Sequence, residues 1–283
     1  MRLIALIIIL MVAVLSVVAT ITPGSKAYKK TNPVADLGKE IAKPLSQVDN
    51  IGPELSQALE RNGVKLPTIG MGPKTEKLGE DHMLQDFTGA EFASHDLPRA
   101  NFAGSVVAKA QFEQALLDSA VFEGATGDAV NFKGARMAKV NLNAALLPAA
   151  DFSGAEMREM KARAADFANA LFVDSDVSFA SFSGANISGA DFRAAYSAGA
   201  SFTNANATAA HFDGADLTGA RFAGANLEKA MFAGANLKAA DFEAARLYGT
   251  DLSAAVNLTS EQLASACANA DTRLPAGVTA PRC

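Results

Sequence analysis

Three histidines (His82, His95, His211) and two cysteines (Cys267, Cys283) are the residues of this 283-residue chain best suited to metal ligation or nucleophilic attack. They are scattered, with no CxxC, HxxxH or HExxH spacing, so neither a zinc site nor a Cys-His nucleophile is expected. The many Asp residues recur at regular intervals, which makes them solvent-facing members of a repeat rather than the paired carboxylates of acid–base catalysis. No catalytic residue, metal or cofactor is expected, and the chain does not read as an enzyme. Two groups keep a chemical interest. Arg136, Lys139, Arg158, Lys161 and Arg163 form a basic cluster that could meet an anion, a lipid headgroup or a partner. In an oxidising compartment Cys267 and Cys283 could close a loop of about 16 residues, a constraint of roughly 3 kcal/mol; the alternative is two unrelated thiols.

The elements that carry these residues follow a repeat, and a period of 20–50 residues is the usual mark of a solenoid. Here the basic step is five. From Phe87 to Leu252, all but four of the 34 positions with remainder two on division by five hold large apolar residues or Val; the exceptions are Gly127, Ala162, Ser197 and Ala207. The position two residues earlier is Ala at 26 of 34 sites. Between them Asp or Asn is frequent, and Gly often follows two after the apolar centre. A five-residue step suits neither a helix nor a strand. It suits a coil that turns a corner every five residues, points one large and one small side chain inward, and buries its core only by stacking coil on coil.

A longer period gives the number of sides. Phe92, Phe112, Phe132, Phe152, Phe172, Phe192, Phe212 and Phe232 are 20 apart, and Phe102, Phe122, Phe182, Phe202, Phe222 and Phe242 occupy the column two sides away. The other two columns are mainly aliphatic. Phenylalanine on opposed sides fits a square coil, one turn per such step, in which rings stack along the axis.

This pattern resembles the pentapeptide-repeat family, A(D/N)LXX, with clean copies at Ala215–Gly219, Ala225–Lys229 and Ala235–Ala239. The resemblance implies an all-β solenoid, a right-handed quadrilateral β-helix. At the usual ~4.8 Å strand spacing its 8.5 turns would make a rod of about 41 Å. Four segments are expected: a signal peptide or transmembrane anchor over 1–25, a linker with one short helix near Asn50–Gly63 over 26–81, the β-helix over 82–256, and a helical cap and tail over 257–283. Thr259, Ser260, Glu261 and Gln262 read as a capping box opening the cap helix. Met160 beside Ala162 reads as an exchange of large and small. Gly127 and Ser197 have no such partner and predict a void, a water or a bulge. His95 reads as a partly buried histidine bonded to backbone. The triplets at Asn186, Asn206 and Asn257 read as by-products of the repeat. Residues 20 apart should stack, which sets Arg136 beside Glu156 and then Asp176 and makes a salt-bridged ladder the simpler account of the basic cluster. Val106, Leu116, Val121, Leu146, Leu171, Tyr196 and Met231 take outward positions on all four sides, a weak signal for docking.

Hydrophobic residues make up 49% of the chain, charged residues only 19%, and the net charge is −5, which argues against direct nucleic-acid binding through a basic surface. Residues Leu3–Ser25 carry no charge and are long enough to span a bilayer, which favours an anchor over a cleaved signal peptide. The charges on either side, Arg2 against Lys26, Lys29 and Lys30, leave the orientation open. The function expected is a non-enzymatic scaffold or interaction rod of the bacterial cell envelope, anchored at the inner membrane facing the periplasm or released after cleavage. The alternative is a DNA mimic, because quinolone-resistance relatives in the family resembled are acidic β-helices that bind DNA gyrase. From Asp86 to Ser253 the chain holds 20 acids and 13 bases, a weak excess for mimicry. The protein partner and the oligomeric state carry no signature in the sequence.

Overall fold

The computed structural model describes residues 81–283, so the expected signal peptide or anchor and the linker with its short helix lie outside the described residues. Parallel β-bridges join each residue from Asp81 to Asn236, in steps of five, to the residue 20 further on, from Asp81↔Asn101 to Asn236↔Val256. Four bridges fall within each coil, at Asp81, Asp86, Glu91 and Asp96 in the first, so the coil is four-sided. The sides are numbered in chain order: the first is 85–89, the second 90–94, the third 95–99 and the fourth 100–104, and each recurs once per coil.

Within each side the backbone donors go to regular destinations. On the first side Val106 N–H donates back to the Gln85 carbonyl (2.9 Å), while Phe87 and Gly89 N–H donate forward to Val106 and Ala108 (2.7 and 2.8 Å). Ala90 N–H closes the corner on the Phe87 carbonyl (2.9 Å). Only the donor just after the apolar centre is left over. The Asp or Asn column supplies its acceptor: Thr88 N–H donates to Asp86 Oδ1 at 2.9 Å, Ser153 to Asp151 at 2.9 Å and Arg193 to Asp191 at 3.0 Å. This is why a short acceptor recurs there, since an amide without a partner costs far more than its bond contributes.

Each side ends on a left-handed residue. Every fifth position from Leu84 to Gly249 has φ between 50° and 70°. Glycine is permitted there at no steric cost, yet Ala, Lys, Glu and even Phe179 (φ 59°) adopt the same backbone. The strain of about 1 kcal/mol per residue is offset by the hydrogen bond that nearly all of these amides make to the next coil; Ala239 is without one among the described residues, and Gly249 N–H donates to the Asn269 side chain. The conformation is thus imposed by the ladder and not by residue preference.

The core is a lattice of rings. Phe92 and Phe112 on the second side stack at 4.8 Å, as do Phe102 and Phe122 on the fourth, and rings of the two columns meet edge to face at about 5.5 Å. The fourth column lacks Phe at Leu142 and Ala162. Met160 and Ala162 are both buried there, and Phe167 on the first side reaches across to Phe152 and Phe172, each at 5.7 Å. His82 continues the aromatic lattice at the first described coil, stacked on Phe102 at 4.9 Å. The space at Gly127 is taken by the backbone of the coil below: a Cβ built on it would lie 2.4 Å from Ala108 N and 2.7 Å from the Val107 carbonyl carbon. Ser197 keeps the regular turn, with its hydroxyl buried and no protein hydrogen-bond partner.

The expected cap helix does not form; residues 260–265 make turns instead. The capping box itself is present, since Thr259 N–H donates to Gln262 Oε1 (2.9 Å) and Gln262 N–H to Thr259 Oγ1 (3.4 Å). Gln262 Nε2 also donates to the carbonyls of Leu237 and Ala240 (2.8 and 2.7 Å), which ties the segment flat against the coil. The chain must then rejoin the ladder at Cys267, bridged to Arg246, leaving too few residues for a helix. A further bridge, Asp251↔Arg273, completes the coil, and Leu258 and Leu263 are buried. Cys267 and Cys283 are joined by a disulfide, their Cα atoms 5.5 Å apart.

Candidate functional site

The bridges sort the surface into four flat strips, and each predicted residue can be placed on one. Arg136, Lys139 and Arg158 lie on the third side. Arg136 Nε pairs with Asp118 at 2.7 Å, Lys139 with Glu159 at 3.7 Å and Arg158 with Asp176 at 3.3 Å. Arg136 is bridged in register to Glu156, but its ion pair is with the coil below rather than with Glu156. The carboxylate of Asp118 also accepts the Ala138 N–H (3.1 Å), so it holds both the side chain and the backbone of the next coil. The cations are largely exposed while Asp118 and Asp176 are half-buried, and pairs so open to solvent contribute little to stability.

Lys161 and Arg163 belong to the fourth side and make no ion pair among the described residues. Above them the same strip carries Ser181 and Ser183, then Ser201 and Thr203, then Arg221. The hydroxyls form one chain: Ser181 to Ser183 at 3.3 Å, Ser183 to Ser201 at 3.1 Å, and Ser201 to Thr203 at 3.1 Å. Arg221 donates to Ser201 Oγ at 3.4 Å. The sequence cluster of five cations therefore splits into a paired group on one side and a cation–hydroxyl strip on the next. The hydroxyls and Arg221 escaped the sequence reading. Their signal was a common step of 20 from Lys161 and Arg163.

Apart from the chain neighbours Met83 and Leu84, the exposed apolar residues stay dispersed, with one exception. Phe179 and Tyr196, on adjacent coils of the third side, are each 60% exposed. The Phe179 ring covers Gly199, where a Cβ would lie 2.8 Å from the ring carbons.

Of the chemistry-bearing residues only the two cysteines are brought together; the three histidines lie apart. Among the described residues no group of three or more His, Cys, Asp or Glu could hold a metal. His95 Nδ1 lies 3.1 Å from the Ala93 carbonyl, half-buried against Phe92. His211 sits 3.7 Å from Asp213. Asn186 and Asn206 are rungs of an amide ladder, Asn206 Nδ2 donating to Asn186 Oδ1 at 3.1 Å. Asp191 titrates below the ordinary carboxylate range. Burial alone would raise it, but the hydrogen bonds and charge of Arg193, with a smaller contribution from His211, outweigh that. The arrangement presents charges, hydroxyls and amides at fixed spacing.

The family model for pentapeptide repeats matches residues 108–143, 128–160, 163–196, 187–224, 198–232 and 220–256, in 8 copies. The chain belongs to the pentapeptide-repeat family. Among solved structures this pentapeptide-repeat chain is similar to HetL, a protein involved in heterocyst differentiation regulation in the cyanobacterium Nostoc, at 21% identity over 73% of this chain and 90% of that one, with a TM-score of 0.33. It is also similar to QnrB1, a plasmid-mediated fluoroquinolone resistance protein, at 20% identity over 71% of this chain and 91% of that one, with a TM-score of 0.31. A pentapeptide repeat protein of the Arabidopsis thaliana thylakoid lumen matches at 29% identity over 39% of this chain and 67% of that one, with a TM-score of 0.17. No curated protein matches in sequence. Among the described residues no helix is long and apolar enough to cross a membrane.

Proposed function

We propose that this pentapeptide-repeat chain is a non-enzymatic display rod of the bacterial cell envelope. Residues 1–25 carry it to or across the inner membrane, and the solenoid presents its strips to a protein partner. The observation that carries this reading is the pairing of the chain's only two cysteines, at a Cα separation of 5.5 Å. Such pairs persist in oxidising compartments and are rare in the cytoplasm. The uncharged run Leu3–Ser25 supports the same address. Strips of side chains held in register by the backbone give a partner a rigid surface with little ordering to do on binding.

Paired C-terminal fusions test it. Alkaline phosphatase should be active and green fluorescent protein dark; the reverse pattern would sink the envelope address. The DNA-mimic reading draws on the quinolone-resistance members of the family and on a weak excess of 20 acids over 13 bases between Asp86 and Ser253. Inhibition of gyrase supercoiling by the purified rod would bring it forward, and no effect would remove it.

A further inference from the structure

The Cys267–Cys283 bond joins two unlike surroundings. Cys267 is part of the ladder: its N–H donates to the Ala245 carbonyl and its carbonyl accepts from Leu247 N–H, both at 2.8 Å. The Tyr248 hydroxyl lies 3.2 Å from Cys267 Sγ. Arg246, in register with Cys267, places its guanidinium 5.4 Å from the centre of the Tyr248 ring. Cys267 is half-buried, whereas Cys283 is exposed together with Pro281 and Arg282. The segment bearing Cys283 is tied back by few bonds: Ala268 N–H to the Pro281 carbonyl (2.9 Å), Cys283 N–H to the Ala268 carbonyl (3.3 Å), and Thr279 N–H and Oγ1 to Ser260 Oγ (3.0 and 3.4 Å).

We propose that this pair is a thiol-exchange site, at which an external dithiol attacks Cys283 Sγ and expels Cys267 as the leaving thiolate. The attacking thiolate forms a new S–S bond to Cys283, and the electron pair of the broken bond goes to Cys267 Sγ. The second thiol of the reductant, once deprotonated, attacks its own sulfur in the mixed disulfide and releases Cys283 as a thiolate. Two electrons pass from the dithiol, which leaves as a cyclic disulfide, to the protein, which gains two thiols. The direction follows from the surroundings. Cys283 is open to approach, and the Arg282 cation beside it draws an anionic nucleophile. The departing Cys267 thiolate accepts the Tyr248 O–H bond, which strengthens as charge develops on sulfur. After reduction only these four bonds, one of them long and all at exposed residues or the Ala268 edge, hold the Cys283 segment, so it detaches and uncovers the Ala268 edge while the coils stay folded. The inference rests on this local geometry and not on the cellular address.

The oxidised full-length chain, exposed briefly to glutathione, alkylated with N-ethylmaleimide and mapped by mass spectrometry, tests the direction. Glutathione should sit on Cys283 and maleimide on Cys267, in at least about tenfold excess over the reverse. An even or inverted distribution overturns the proposal, as does a chain whose two cysteines alkylate fully before any reductant is added. Tyr248→Phe should slow reduction by dithiothreitol about fivefold with thermal unfolding unchanged; an unchanged rate removes Tyr248 from the mechanism. Single-cysteine chains give a readout that a purely structural role would not move. The Cys267 thiol in Cys283→Ser should react with iodoacetamide at a lower pH midpoint than Cys283 in Cys267→Ser, and the opposite order contradicts the proposal.

Discussion

Phe172 and Phe192 stack one coil apart, ring centroids 4.5 Å apart and planes 3° from parallel. Phe182 meets both edge to face, at 5.6 and 5.5 Å. The β-ladder sets a coil spacing of about 4.8 Å, close to the preferred separation of offset rings, so backbone and side chains favour the same geometry. Phe192→Ala should therefore lower stability by about 3–5 kcal/mol. Phe192→Trp should also destabilise, by about 1–3 kcal/mol, because an indole needs more room than the spacing allows. Urea denaturation measures both, and a Trp variant as stable as the parent would contradict a close-packed ring lattice.

Gly127 is the one apolar centre that cannot take a side chain. A Cβ there meets Ala108 N at 2.4 Å and Ala108 Cα at 2.8 Å, both backbone atoms. Gly127→Ala should destabilise by about 1–3 kcal/mol by forcing the first side apart. Gly154→Ala is the control, since nothing lies within 4 Å of its Cβ and only its φ of +65° is unfavourable. The denaturation midpoint of Gly127→Ala should fall further than that of Gly154→Ala, and equal losses would show that the pinch is absent.

At three places where the Asp or Asn column is interrupted, after Arg136, Lys161 and Met231, an acceptor comes from the coil below. Arg163 follows Lys161 instead of an Asx residue, and its N–H donates to Asn143 Oδ1 at 2.9 Å. Ala233 follows Met231, and its N–H donates to Asp213 Oδ1 at 2.8 Å. Asn143→Ala should cost about 0.5–1.5 kcal/mol. In the double variant with Lys161→Asn the local acceptor returns, and most of that loss should be recovered. A double variant no more stable than Asn143→Ala alone would refute the substitution of one acceptor by the other.

Acid should weaken the solenoid from a defined pH. Asp191 and Asp251 both titrate below the ordinary value of 3.8. In Asp251 the Ser253 hydroxyl and N–H hold the proton affinity down, against burial, with help from Arg273. A folded-state value below the unfolded one means that the unfolded chain binds more protons. The stabilisation is complete above the ordinary carboxylate value and is lost as pH falls through the lower folded values. Denaturant midpoints should stay level from about pH 7 to about pH 5 and drop below about pH 4. Asp191→Asn retains an acceptor for Arg193 N–H and should flatten part of that drop; a midpoint that rises on acidification would contradict the assignment.

Much of this architecture is legible in the sequence because inward residues leave a direct mark. The Phe column at 92, 112 and 132 and the opposed one at 102 and 122 disclose the four-sided coil that the bridges display. Residues acting between coils were harder to read. Asn143, Asp118 and Asp213 occupy positions where any polar side chain looks like surface, and their purpose appears only when the amide one coil further on is known to lack an acceptor. The left-handed backbone at Ala164 or Phe179 leaves no trace in residue preference, because the ladder imposes it. The capping box at Thr259 and Gln262 was visible, but the ties from Gln262 to Leu237 and Ala240 turn it to another end. The strip of Lys161, Arg163, Ser181, Ser183, Ser201, Thr203 and Arg221 is dispersed along the sequence and compact only when read coil by coil.

The compartment in which the solenoid is displayed is the central claim of the functional account. Lys161 is exposed on the fourth side, and Lys161→Cys in a chain carrying Cys267→Ser and Cys283→Ser offers a single thiol on the rod's surface. Intact cells should label that thiol with a membrane-impermeant maleimide as fully as lysed cells do. Labelling only after lysis would place the rod in the cytoplasm and contradict the account.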